Sequence, residues 1–224
     1  MVMVMKMKFK YAIFDMDGTL LDTMKYWRNS VNYYAELKGL PKPLIDDETL
    51  NIAFDMPTYK GLEYLRQHSD EPLVHAMTPE NVYEVIEYFY YNEPCPIDGV
   101  TEVLYSLKEN GVKLCCASAT PTNLVKMALD RANLLAFFDF IVTTDDYPKG
   151  KASPEIFEGI AKRFGCNVTE MALFEDALYS LKTAKELGLY IIAKQDFFAL
   201  SKRKEIKKVA DVYLESYYDY TYGD

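Results

Sequence analysis

Half of the 224 residues are hydrophobic and 26% are charged, which excludes a disordered chain and allows one large domain or a core with a smaller insertion. The net charge of −9 argues against nonspecific nucleic-acid binding and against attraction to an anionic membrane surface, since both need a basic footprint. No apolar run approaches the roughly 20 residues of a membrane span. A small phosphorylated ligand stays open, because a metal ion and one or two lysines invert the potential locally.

Residues 1–10 alternate Met, Val and Lys without the apolar centre of a signal peptide, so a cytoplasmic location is expected by default. Residues 11–14 are a short apolar run that reads as a buried strand, and it delivers Asp15 and Asp17 before Gly18 breaks the pattern. A strand followed by a turn puts both carboxylates at the carboxyl edge of a sheet, where open α/β folds bind ligands. The same Asp-Met-Asp-Gly would also suit an ordinary turn. From Thr23 the period becomes helical, with Trp27, Val31, Tyr34, Ala35 and Leu37 near one face until Gly39 and Pro41 end the run. Further helices are expected around residues 48–54, 58–66 and 79–91. So long a helical block does not fit inside a usual strand-to-helix crossover, so residues 23–93 are expected to form a separate all-helical domain.

Residues 93–99, Glu-Pro-Cys-Pro-Ile-Asp-Gly, read as a stiff return linker. A regular alternation follows: a helix over 100–107 ended by Gly111, a strand over 112–117, a helix over 121–131 and a strand over 140–143. Next come a helix over 154–164, a strand over 171–174 and a helix over 177–187. Strands at 189–193 and 210–214 flank a short basic helix near 201–208. This predicts a doubly wound α/β core, its mostly parallel sheet covered on both faces, made of residues 1–22 and 94–224. Cys95, Cys115, Cys116 and Cys166 are too scattered for a disulfide scaffold and are expected to be buried thiols. Of the 19 tyrosines, Tyr217, Tyr218, Tyr220 and Tyr222 cluster near the end; a loosely docked tail is expected there, with a binding surface as the alternative.

The string Asp15-Met16-Asp17-Gly18-Thr19-Leu20-Leu21-Asp22-Thr23 after its apolar strand resembles the nucleophile motif of the haloacid dehalogenase-like phosphohydrolases. Three further segments follow in that family's order. Ser118-Ala119-Thr120 looks like the second motif, in which a Ser or Thr hydrogen-bonds the phosphoryl group; Ala119 replaces a frequent Asn, leaving its backbone N–H as the substrate contact. Gly150-Lys151-Ala152-Ser153-Pro154-Glu155-Ile156-Phe157 is similar to the lysine segment and matches its lysine with Lys151. A cation there holds a nucleophilic carboxylate beside a phosphate that would otherwise repel it. The neighbouring Lys149 is expected to be a solvated surface charge. Glu175-Asp176-Ala177 resembles the acidic fourth motif, with Ala177 in place of Ser and with Ser180 and Ala184 where the family has Gly and a small residue.

The resemblance implies Mg²⁺ held by Asp15, the Asp17 carbonyl, Glu175 and Asp176, a set of oxygen donors that suits this ion. It also implies that Asp15 attacks phosphorus, that Asp17 is the acid and base, that Ser118 and Lys151 hold the phosphoryl oxygens, and that Thr19 orders the turn. The helical insert matches a helical cap. Hydrolysis of a small phosphorylated metabolite, a sugar phosphate or nucleotide, is the expected function, and no obligate protein partner is evident. Beta-phosphoglucomutase looks close in its core, but Trp27 stands where that mutase has a cap histidine, and the Gly-x-x-Arg cap segment is missing. A mutase and a catalytically idle binding scaffold remain the alternatives. Trp27 could stack on substrate or belong to the core, while His68 and His75 are expected to be surface or packing residues.

Overall fold

A computed structural model describes residues 9–220 of the chain, which divide into two compact units. Thr23–Pro94 is wholly helical, as its 3.6-residue period dictates. It contains α1 (Met24–Arg28), α2 (Ser30–Leu37), α3 (Asp47–Phe54), α4 (Thr58–His68), α5 (Pro72–Ala76) and α6 (Pro79–Asn92). The single helix expected from Thr23 onward is two. The helix breaks at Asn29, whose side-chain amide donates to the Lys25 carbonyl at 2.9 Å and so competes for a helical acceptor. The sequence reading missed α5, because five residues opened by Pro72 are too few to show a period.

Apolar positions at helical spacing form the core of this unit. Val82, Val85, Ile86 and Phe89 of α6 are buried, as are Val31 of α2 and Leu62 and Leu65 of α4. Tyr26 stacks on Phe89 with centroids 3.9 Å apart, and burying a ring such as Phe89 contributes about 1.5–3 kcal/mol. Gly61 lets α4 approach α3, since a Cβ there would lie 2.6 Å from the Ala53 carbonyl oxygen.

The other unit, Met1–Asp22 with Cys95–Asp224, is built on one six-stranded sheet, whose near-continuous apolar strands suit burial on both faces. Its strands are β1 (Tyr11–Phe14), β2 (Lys113–Ser118), β3 (Phe140–Thr143), β4 (Met171–Glu175), β5 (Tyr190–Lys194) and β6 (Val212–Leu214). They lie in the order β3-β2-β1-β4-β5-β6, and every pairing is parallel. The connecting helices are α7 (Val100–Glu109), α8 (Thr122–Arg131), α9 (Pro154–Phe164), α10 (Leu178–Glu186) and α11 (Arg203–Val209). Ala12, Ile13 and Phe14 are fully buried, and Phe14 stacks on Phe174 of the neighbouring strand at 4.0 Å. Because β1 pairs with β2 on one side and β4 on the other, the strand order reverses at β1/β4, the crevice where doubly wound folds bind ligands.

Two sequence expectations need correction. The C-terminal tyrosines are not all loosely docked: Tyr217 is 1% exposed, and Tyr220 meets Phe174 edge-on at 5.5 Å. Only Tyr218 is largely exposed among the described members, and Tyr222 lies outside the described residues. Of the four cysteines only Cys115 and Cys116 are buried; Cys95 and Cys166 are partly exposed. Among the described residues no helix is long and apolar enough to cross a membrane.

Candidate active site

Parallel register gathers the acidic residues. Phe14 pairs with Phe174 on one side and Cys116 on the other, so the chain just beyond carries Asp15, Glu175 and Ser118 to the same edge of the sheet. The Asp15 N–H still donates to the Phe174 carbonyl at 3.0 Å, which fixes the carboxylate at the end of the ladder. Gly18 then turns the chain in the left-handed region (φ 80°), and the Leu20 and Leu21 N–H groups both donate to the Met16 carbonyl.

Lys151 stands in a 3₁₀ turn (Gly150–Ala152) and is 4% exposed, in contrast to Lys149, which pairs with Glu155 at the surface. The Lys151 ammonium donates to Asp15 Oδ1 and, at 2.7 Å, to Glu175 Oε2. The other Glu175 oxygen accepts the N–H groups of Asp176 and Ala177 at 3.1 and 3.0 Å. Burial works to lower the Lys151 ammonium, but Asp15 and Glu175 overturn it and hold it protonated well above the usual range. Burial pushes the Asp15 carboxyl up to about 8, with Glu175 adding to the rise and Lys151 opposing it. Asp176 is also raised, first by burial and then by Glu175 and Asp15. For Glu175 burial acts upward, yet Lys151 and the hydrogen bonds win and keep it ionised.

This charge balance tests the site for a metal. Asp15, Glu175 and Asp176 are buried and can each offer an oxygen within 4.8 Å of the others. Burial raises Asp15 and Asp176, the surplus of three carboxylates over one ammonium raises them further, and a divalent cation would relieve that surplus. The all-oxygen donor set fits a hard cation such as Mg²⁺.

Ser118 is 1% exposed at the end of β2, where its Oγ accepts the Thr120 N–H at 3.1 Å. Thr120 was not singled out from sequence, yet its hydroxyl donates to Asp17 Oδ2 at 3.1 Å. Its place two residues after Ser118 in a Ser-Ala-Thr strand end was the available signal. Ala119 is exposed, and its carbonyl accepts the Thr144 hydroxyl. Thr19 is fully buried; its carbonyl accepts the Tyr217 hydroxyl, while its own hydroxyl has no protein partner. Ser180 on α10 is equally buried and unpartnered. Trp27 belongs to the helical unit, where its Nε1 donates to the Tyr90 hydroxyl at 3.3 Å and its ring meets Tyr83 edge-on. His68 and His75 are exposed and bond backbone carbonyls of their own unit.

An acidic, lysine-bridged cluster stands at the switch point of a doubly wound sheet, and the family model described as "Haloacid dehalogenase-like hydrolase" matches residues 12–194. The chain belongs to the haloacid dehalogenase-like hydrolases. A phosphorylated carbohydrates phosphatase of Thermotoga maritima is 29% identical over 178 residues, covering 80% of this chain and 81% of that protein. The fold matches a haloacid dehalogenase hydrolase of Entamoeba histolytica with a TM-score of 0.77 at 16% identity, covering 95% of each chain. It also matches the beta-phosphoglucomutase of Clostridium difficile, with a TM-score of 0.72 at 21% identity over 96% of this chain and 94% of that one.

Proposed function

We propose that this chain is a Mg²⁺-dependent phosphomonoester hydrolase acting on a small phosphorylated metabolite, a sugar phosphate in the first instance. The observation that carries the reading is the bridge from Lys151 to both Asp15 and Glu175 at the switch point of the sheet. The similarity to a phosphorylated carbohydrates phosphatase supports the substrate class.

Asp15 is the nucleophile: its carboxylate attacks phosphorus, the bond to the leaving oxygen breaks, and an aspartyl phosphate forms. Lys151 lies against that carboxylate and balances the negative charge that gathers as the phosphoryl group transfers. Ser118 offers a hydroxyl, and Ala119 a backbone N–H, to the phosphoryl oxygens at the end of β2. Asp17 protonates the leaving oxygen, then takes a proton from the water that cleaves the aspartyl phosphate. Thr120 holds the Asp17 carboxylate while it does so. Asp15, Glu175, Asp176 and the Asp17 carbonyl would hold Mg²⁺, which supplies further charge neutralisation at the phosphoryl oxygens. The helical unit Thr23–Pro94 acts as a cap that selects the leaving group.

A screen of phosphomonoesters with Mg²⁺ and with excess EDTA tests this reading. Phosphate release is expected with Mg²⁺ and not with EDTA. Full activity in EDTA, with metal content checked, would remove the metal, and no release from any ester would remove the activity.

A further inference from the structure

The buried C-terminal tyrosine takes no part in the chemistry above, yet it is tied to the turn that carries Asp17. The Tyr217 hydroxyl donates to the Thr19 carbonyl at 2.9 Å, a contact between residues 198 apart in sequence. Thr19 is two residues past Asp17, in the turn that Gly18 opens. Within the turn the backbone satisfies itself through the Met16 and Leu21 carbonyls, which accept from Leu20, Leu21 and Gly18. The Thr19 carbonyl has its bond to Tyr217 instead, and a buried acceptor that loses its donor is costly.

Tyr217 is itself held from several directions. Ser216 shapes its 3₁₀ turn (Tyr217–Asp219) by accepting the Tyr218 N–H and donating its own N–H to Asp219. Lys194, whose ammonium donates to the Gln195 and Glu215 carbonyls, lies 5.8 Å from the ring centroid. Gly99, in the left-handed region at φ 83°, leaves the Tyr217 side chain just enough room, since a Cβ there would lie 3.0 Å from the Tyr217 Cβ. Burial, with Asp15 and Asp176 nearby, pushes the phenol well above its usual range, so it remains a donor at working pH.

We infer that Tyr217 is a positioning residue: through the Thr19 carbonyl it fixes the turn that presents Asp17, and so aligns the acid with the leaving oxygen. The inference rests on the role proposed above for Asp17, and it gives the C-terminal segment a part in turnover.

Tyr217→Phe keeps the ring and its burial and removes only the donor. Amide exchange in a peptide spanning residues 15–22 is expected to rise about tenfold, with peptides from β2 and β4 unchanged. The kcat for an alkyl phosphate should fall about tenfold with KM unchanged, the loss should nearly vanish with 4-nitrophenyl phosphate, and combination with Asp17→Asn should add nothing further. Equal losses on both leaving groups, or a loss that adds to that of Asp17→Asn, would overturn the inference. Exchange that stays unchanged at residues 15–22, or rises equally everywhere, would overturn it as well. A wild-type chain that releases no phosphate would instead remove the functional reading together with the catalytic half of this one, and exchange alone would then decide the tie.

Discussion

The Thr120 hydroxyl donates to Asp17 Oδ2 at 3.1 Å, joining the end of β2 to the second carboxylate of the loop after β1. Asp17→Asn is therefore expected to cost roughly 10²-fold or more in kcat on alkyl phosphates, the usual worth of a positioned acid–base group, and least on 4-nitrophenyl phosphate. Thr120→Val should show the same leaving-group pattern at smaller size. A uniform loss across leaving groups in Asp17→Asn would mark the residue as structural.

Removing the nucleophile and removing its counterion should have opposite effects on stability. Asp15→Asn removes a carboxyl whose ionisation burial and Glu175 already disfavour, so the melting temperature holds or rises, while turnover is abolished because an amide is a poor nucleophile. Lys151→Met leaves the buried Asp15 and Glu175 carboxylates facing each other without a cation, and breaking a buried pair from one side costs about 3–5 kcal/mol. Denaturant titration of both variants checks the signs. A Lys151→Met protein as stable as wild type would show that solvent reaches the pair.

The surplus charge also predicts a metal-dependent melting temperature. A ligand that binds only the folded state stabilises by about 2.7 kcal/mol at a hundred times its Kd, so millimolar Mg²⁺ should raise the transition. Asp176→Asn should lose most of that gain while staying folded. Calorimetry with Mg²⁺ and with EDTA makes the comparison, and an equal gain in Asp176→Asn would remove Asp176 from the ligand set.

Ser180 offers a test independent of turnover. Its fully buried hydroxyl has no protein partner, and an unsatisfied group of this kind costs about 1–3 kcal/mol. Alanine is also the better helix former, so Ser180→Ala should stabilise α10 by roughly 1 kcal/mol. Destabilisation on chemical denaturation would mean that an internal water uses the hydroxyl.

What the sequence revealed and what it hid differ in range along the chain. Strands such as β3 (Phe140–Thr143) and helices such as α9 (Pro154–Phe164), which has Pro154 at its start and Gly165 just past its end, were legible because their signals are local. The cluster was legible because its carboxylates stand in short strings at strand ends, as Asp15 and Glu175 do, and Lys151 stands in a short string just before the proline that opens α9. The ties from Thr120 to Asp17 and from Tyr217 to Thr19 were not, because each joins residues more than a hundred positions apart that only the folded chain brings together. The break at Asn29 escaped for a different reason: a side chain bonding its own helix leaves the apolar period almost intact.

The last prediction separates hydrolysis from isomerisation. A mutase must hold its phosphorylated sugar so that a second hydroxyl beats water to the aspartyl phosphate, whereas a hydrolase admits one water and excludes the rest. The residue at the mutase's histidine position is Trp27, whose ring is packed on Tyr83 and whose only nitrogen donates to Tyr90, so it provides no base to move a proton. Accepted sugar phosphates should accordingly yield inorganic phosphate stoichiometrically, with little isomer. Trp27→Ala should change KM or substrate preference several-fold and leave the Mg²⁺ requirement intact. Formation of beta-glucose 6-phosphate from beta-glucose 1-phosphate faster than phosphate release, followed by coupled assay, would reverse the assignment.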